Sequence, residues 1–218
     1  MVDQLAARCD KPVRIVRENS AFSQGRYLNV GLIAARSQHA VLVDQHCEFI
    51  EGDWLETLLG YIDREHVATV APVVLDEFGL IVSAGLAFTP EPHDIGAGHH
   101  PSELGPVGMF AIARECFGVS TRCALVDVDA LKAVGGFSPE YSTRMFDFDL
   151  AAKLHGAGLH AIVTPSTVRL RPFILHGAPA RMAGAAPEAW PPVNIQAKEA
   201  AVAERNARRE DLSITEKD

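Results

Sequence analysis

Val41-Leu42-Val43-Asp44-Gln45-His46-Cys47-Glu48, running on through Gly52-Asp53-Trp54-Leu55-Glu56, is the stretch on which the fold turns. Ala40 to Val43 is a continuous apolar run with β-branched residues, the pattern of a parallel strand covered on both faces. It stops abruptly at Asp44-Gln45-His46. In an open α/β sheet, ligands sit outside the carboxyl ends of the strands. A carboxylate and an imidazole two residues apart at such an end can reach one cation, and mixed oxygen and nitrogen ligation suits Mn²⁺ or a similar ion. On spacing alone the blander alternative carries more weight: Asp44 caps a turn and His46 is exposed. Asp53 is the expected N-cap of a helix beginning at Trp54.

Outward from this stretch, strand and helix patterns alternate. Lys11-Pro12 ends a helix over Asp3 to Cys9, and Val13 to Val16 alternates like a short strand. Gln24 to Arg36 is predicted helical, with Tyr27, Leu28, Leu32 and Ile33 on its apolar face. Val67 to Leu75 is a strand, Asp76 to Gly79 a turn, and Leu80 to Phe88 a hairpin arm. Thr89 to Pro106 is rich in Gly, Pro and His and predicts a loop. Cys123 to Val128 is a strand, Asp129 to Val134 and Phe148 to Gly156 are helices, and Leu159 to Val163 is a strand with an irregular stretch from Pro165. Gly177 to Pro192 is rich in Ala, Gly and Pro, and Asn194 to Glu210 is an Ala/Glu/Arg helix with a thin apolar face. The alternation predicts an α/β domain with a mostly parallel sheet flanked by helices and a C-terminal helical extension.

Composition limits the function classes. The 218 residues are 48% hydrophobic and 22% charged, enough for a buried core, and the net charge is −8. That balance argues against nucleic acid as a general partner, since phosphate binding needs a basic face. Cys9, Cys47, Cys116 and Cys123 form no Cys-x-x-Cys pair, which favours free thiols in a reducing cytoplasm over a disulfide framework. No run is apolar and long enough to predict a transmembrane segment. His93, His99 and His100 share a loop with Asp94, but their spacing matches no standard metal site. A flexible loop is the better reading.

The Asp44 segment resembles the Asp-x-Asp region of family 2-type, GT-A-fold glycosyltransferases, and its Asp-x-His form is similar to the polypeptide N-acetylgalactosaminyltransferases. Other stretches match in the same order: Asn29-Val30-Gly31, Val70-Ala71-Pro72, Asp76 to Gly79, Ala84-Gly85, Val134-Gly135-Gly136-Phe137, and Phe146-Asp147-Phe148-Asp149-Leu150 followed by His155-Gly156-Ala157-Gly158. Each motif alone is weak; their shared order from Val13 to Arg171 carries the resemblance. It implies a Rossmann-like GT-A domain over 1–176, with 177–218 as linker and C-terminal helix.

The resemblance also implies a chemistry, the transfer of a sugar from a nucleotide-sugar donor to an unknown acceptor by an inverting mechanism. Asp147 matches the family's catalytic base, the carboxylate that takes the acceptor's proton. Asp44 and His46 would hold Mn²⁺ or Mg²⁺ and, through it, the donor diphosphate. Asn29, Asp44, Gly135, Gly136 and Arg171 fall at donor-binding positions, the glycines serving backbone geometry near the donor sugar. Asp147 has a compatible structural reading, the N-cap of a helix at Phe148.

Three departures open a second reading. The family's first two strand-helix units, which hold the nucleoside, have no counterpart before Val13. Phe146-Asp147 stands where Glu-Asp is expected. Arg171 stands where a third metal ligand, a histidine, is common; either His176 substitutes, or Arg169 and Arg171 neutralise the diphosphate instead. A sheet lacking two strands exposes an apolar edge, so a homo-oligomer or a partner polypeptide is expected to cover it. The alternative function is therefore a non-catalytic GT-A-like scaffold or subunit that a partner completes.

Overall fold

Val67–Leu75 (β3) is the spine of the sheet, because every residue from Ala68 to Leu75 is buried and neither face of the strand meets water. The computed structural model describes residues 9–19, 22–88, 91–141 and 144–171. These lie within the first of the chain's two compact units, Met1–Pro172 and Phe173–Asp218. The expected linker, the C-terminal helix, His176 and nearly all of the expected first helix therefore fall outside the described residues.

Around β3 the sheet runs β1–β8–β3–β9–β2, built from His39–Val43 (β1), Cys47–Phe49 (β2), Cys123–Asp127 (β8) and His160–Leu170 (β9). Ile81–Ser83 (β4) pairs with the end of β3, and Arg114–Cys116 (β7) pairs with the start of β9. A separate two-stranded ribbon joins Leu86–Ala87 (β5) to His93–Asp94 (β6). The class is α/β as expected, but the sheet is mixed rather than mostly parallel: among the described residues only β3 and β9 run parallel, and β8 is antiparallel to both its neighbours. The reason lies in the connection. A parallel neighbour needs a long crossover, usually a helix, whereas the chain leaves β3 through the β4 hairpin and the β5–β6 ribbon and returns reversed as β8.

Four helices cover the two faces. Trp54–Ile62 (α2) lies on one side, where Leu58 and Ile62 pack on Val70, Leu125 and Ile162. Truncating a fully buried leucine such as Leu58 typically costs about 2–5 kcal/mol. Gln24–Ala34 (α1), Val128–Ala133 (α3) and Met145–Gly156 (α4) cover the other face through Leu32, Leu131, Phe146, Leu150 and Leu154. Ser23 caps α1 and Asp127 caps α3 with their side chains. Asp53 occupies the N-cap position of α2 as expected, but its side chain makes no capping bond.

Two more boundaries differ from the sequence reading. Val13 to Val16 is not a strand; it is exposed and irregular, because no neighbouring strand pairs with it among the described residues. β9 continues through Pro165 to Leu170, since its register against β3 shifts between Thr164 and Thr167. That bulge accommodates a proline that cannot donate to the ladder. No described helix is long and apolar enough to cross a membrane.

Candidate active site

The end of β1 presents Asp44 to the face covered by α4. Ala40 and Leu42 pack into the α1/α3/α4 core while Val41 packs with α2, so extending the alternation by one residue puts Asp44 on the α4 side. The same rule applied to β8, where Ala124 and Val126 face α4, puts Arg122 there too. The two residues are joined: the Asp44 amide donates to the Arg122 carbonyl at 2.7 Å. Asp44 Oδ1 then accepts the His46 amide at 2.8 Å and lies 2.7 Å from His46 Nδ1, so the carboxylate closes a tight turn and orients the ring. The Arg171 amide donates to the His46 carbonyl at 2.8 Å, and its guanidinium pairs with Glu48 at 2.5 Å. Arg171 therefore lies beside the Asp44–His46 turn.

Asp147 sits in the first turn of α4, which begins at Met145 and not at Phe148. Asp147 is thus not the N-cap; Arg144 occupies that position. The helix starts early because Phe146 is buried and meets Phe137 edge to face at 6.0 Å. Only 1% of the Asp147 side chain is exposed. Its Oδ1 accepts the Thr121 hydroxyl at 2.6 Å, and its Oδ2 lies 3.4 Å from Arg144 Nη2. The carboxylate also borders a cavity of about 10 Å³ lined by Thr69, Val119 and Ala151, room for a single water at most. Burial pushes the Asp147 carboxyl up to about 6, although Arg144 and Thr121 pull it down.

Arg144 connects this helix start to the histidine-containing loop. It donates to both oxygens of Asp94, at 2.9 and 3.0 Å, and to Ser120 Oγ at 3.3 Å. Burial alone would lower its pKa, but Asp94 and then Asp147 more than offset that and hold it above the usual arginine value. The loop histidines make local bonds: His93 to the Glu91 carbonyl, His99 to Glu103, and His100 to Ser102.

The donor set at the β1 end fits a small divalent ion. Asp44 and His46 are each 28% exposed, and their 2.7 Å contact is near the roughly 3 Å separation of two ligands around one such ion. Cys47 does not add to the set, since burial pushes its thiol up to about 11 and Sγ donates to the Arg122 carbonyl. Among the described residues no three His, Cys, Asp or Glu side chains converge on one point. Among the described residues the candidate set is therefore Asp44 and His46, and His176 lies outside them.

Residues 1–135 match the family described as Glycosyl transferase family 2. The chain belongs to that family. A curated relative, the uncharacterized protein y4gI of Sinorhizobium fredii, is 27% identical over 164 residues, covering 72% of this chain and 18% of its own length. The O-antigen biosynthesis protein RfbC of Myxococcus xanthus is 25% identical over 162 residues, covering 71% of this chain and 12% of its own. The chain thus spans less than a fifth of either relative. Among solved structures, the mannosyltransferase PcManGT of Pyrobaculum calidifontis, in complex with GDP-Man and Mn²⁺, superposes with a TM-score of 0.55 at 17% identity, covering 77% of this chain and 42% of that one. GalNAc-T7 with UDP, GalNAc and Mn²⁺ gives 0.59 at 14% identity, covering 78% and 34%. Both are GT-A glycosyltransferases, and the GT-A fold is what they share with this family 2 chain.

Set against the family 2 expectation, the tertiary structure groups the residues unevenly. Asp44, His46 and Arg171 meet at one turn, and Asp147 is tied to that turn through Thr121 and Arg122. Asn29 is elsewhere: its amide donates to the Phe137 carbonyl at 2.7 Å and its Oδ1 accepts the Phe137 amide at 2.8 Å, clamping α1 to the turn after α3. Gly136 lies in the left-handed region (φ +67), and a Cβ there would stand 2.5 Å from Asn29 Oδ1. The Gly136 carbonyl accepts from Lys153 on α4. Thr121, Arg122 and Arg144 escaped the sequence reading. Arg144 at three residues before Asp147 signals an ion pair only once the helix is known to start at Met145.

Proposed function

We propose that the chain forms the metal- and acceptor-side part of a glycosyltransferase that moves a hexose or N-acetylhexosamine from a nucleotide sugar to an acceptor hydroxyl, with inversion. One observation carries this reading: adjacent residues hold the two acidic motifs, Thr121 bonding Asp147 and Arg122 bonding Asp44. Asp44 and His46 would hold Mn²⁺ or Mg²⁺, which when bound offsets the charge developing on the leaving diphosphate. Arg171, anchored to His46 through its amide while its guanidinium pairs with Glu48, would bring its charge to the diphosphate only by leaving Glu48. Asp147 takes the proton of the acceptor hydroxyl as that oxygen bonds to the anomeric carbon and the bond to the diphosphate breaks. A carboxyl raised to about 6 is ionised at neutral pH yet basic enough to accept that proton. The acceptor reaches Oδ2 by displacing Arg144. Asn29, Gly135 and Gly136 support the donor side indirectly, by fixing the turn that leads into α4. A second copy or a partner polypeptide covers the edge of β1 that no strand pairs with among the described residues, and supplies nucleoside contacts.

A second reading, a non-catalytic GT-A-like subunit, is favoured by the burial of Asp147 and the engagement of both its oxygens. Calorimetric titration with UDP and GDP, each with and without Mn²⁺, separates the two. Metal-dependent binding that Asp44→Ala abolishes supports the transferase; a chain that binds neither nucleotide is the scaffold.

A further inference from the structure

Arg122 stands apart from the other charged residues of the site. Its backbone carbonyl is pinned between the Asp44 amide and the Cys47 thiol, so its Cα cannot drift from the Asp44–His46 turn. Its side chain, on the α4 face, is partly buried and within electrostatic reach of Arg144, Asp94, Asp44 and Asp147. Yet among the described residues its guanidinium makes no hydrogen bond and no ion pair. Asp94 has spent both oxygens on Arg144, and Asp147 has spent its two on Thr121 and Arg144. Asp44 Oδ1 is spent on His46. Burial, followed by the like charge of Arg144, lowers the Arg122 pKa. Beside it, Arg144 Nε is buried without a partner among the described residues, so both guanidiniums of the cluster retain unused donors.

Placing an unpaired cation in a partly dry position is costly unless an anion completes it. The fixed charges say which kind. Asp44 is within electrostatic reach of Arg122 in the bare protein; a divalent ion on Asp44 and His46 would offset that carboxylate and leave Arg122 only the carboxylates that Arg144 already engages. The site then takes an anion that can ligate the ion and reach the guanidinium at once, which a bidentate phosphate group does.

We propose that Arg122 is the protein's cation for a diphosphate, receiving phosphate oxygens of a group that simultaneously ligates an ion held by Asp44 and His46. The proposal deepens the transferase reading and rests on it only for the identity of the diphosphate as that of a nucleotide sugar. A diphosphate needs no nucleoside pocket to meet this site, so the test uses inorganic pyrophosphate.

Titration calorimetry of the full chain with pyrophosphate, with and without Mn²⁺, should show metal-dependent binding. Arg122→Gln should weaken it at least tenfold and Arg122→Lys less, while Arg26→Gln on α1 should leave it unchanged. Binding that survives Arg122→Gln intact would overturn the proposal, as would absence of pyrophosphate binding to the wild-type chain. If the Arg122 variants do not fold, arginine modification by phenylglyoxal on the wild-type chain decides it: Mn²⁺ with pyrophosphate should protect the peptide carrying Arg122, and unchanged labelling would refute the assignment. The transferase reading fails separately. Pyrophosphate binding lost in Arg122→Gln, together with no binding of UDP or GDP, upholds the anion site and removes the nucleotide-sugar role. UDP or GDP binding that is indifferent to Arg122→Gln does the reverse.

Discussion

Arg144 grips Asp94 through both terminal nitrogens, at 2.9 and 3.0 Å, and this pair fastens the β5–β6 ribbon to the start of α4. Arg144 is 29% exposed and Asp94 18%, so water still screens the pair in part. Its loss should cost less than that of a fully buried pair, about 2 kcal/mol. Asp94→Ala, Arg144→Ala and the double variant, compared by urea unfolding, should show a coupling of about 1 kcal/mol or more. A coupling near zero would mean that the ribbon is held by its packing alone.

Asp147 makes stability depend on pH in a definite direction. Its carboxyl is raised in the fold to about 6 from an unfolded value of 3.8, so the native state binds the proton more tightly. The favourable contribution is complete below pH 3.8 and is lost as pH rises through about 6, a change on the order of 3 kcal/mol. Between pH 4 and 7 the wild-type chain should lose stability relative to Asp147→Asn, whose side chain does not titrate. Parallel pH profiles for the two proteins would show that Asp147 is not perturbed.

The same group sets a limb in any transferase rate. As a base, Asp147 works only when ionised, so kcat/KM should rise with pH through about 6 and level off above it. Arg144→Met removes the cation that favours ionisation and should move that limb to higher pH. A limb that stays in place would separate Arg144 from the ionisation of Asp147.

Asp44 and His46 should differ from Arg171 in what they control. Asp44→Ala should abolish Mn²⁺-dependent binding of UDP or GDP, and His46→Ala should weaken it by about 10- to 100-fold. Arg171→Ala, whose guanidinium is 66% exposed, should weaken it by less than tenfold and make it less sensitive to salt. Equal losses from all three would point to collapse of the turn rather than loss of ligands, and thermal melts of the variants would reveal it.

Gly136 and Asn29 form a structural couple. Gly136→Ala should cost about 2 kcal/mol or more, because a left-handed alanine is strained and its Cβ meets Asn29 Oδ1 at 2.5 Å. Asn29→Ala strips both bonds from the Phe137 backbone and should cost about 2–3 kcal/mol. If neither substitution changes the urea midpoint, the turn is held by Phe137 packing and not by the amide clamp.

The order of the elements, the apolar strands β1, β3 and β8, and the stop at Asp44-Gln45-His46 were legible from residue types, because burial on both faces of β3 and β8 leaves a continuous apolar signature in the chain, and β1 carries the same apolar run although it is only half-buried. The direction of β8 was not legible. An antiparallel neighbour and a parallel one bury the same side chains, and only the path of the intervening hairpins distinguishes them. The start of α4 was hidden for a related reason: Phe146 and Phe148 flank Asp147, and that alternation does not read as a helix face until Phe137 is found packed on Phe146. The Asp44–His46 contact was legible as a turn because its members are two residues apart, while their reading as metal ligands came only from the resemblance. Thr121, Arg122, Arg144 and Asp94 were not legible, since they come from three separate segments. What the sequence alone determined is therefore the long apolar strands and the local Asp44–His46 turn; the short strands β2, β6 and β7 were not legible, and Val13 to Val16 reads as a strand that does not form. Only the tertiary structure decided which charges meet, because reversing β8 is what carries Arg122 to the end of β1 and lets one backbone carbonyl bind Asp44 while its neighbour's hydroxyl binds Asp147.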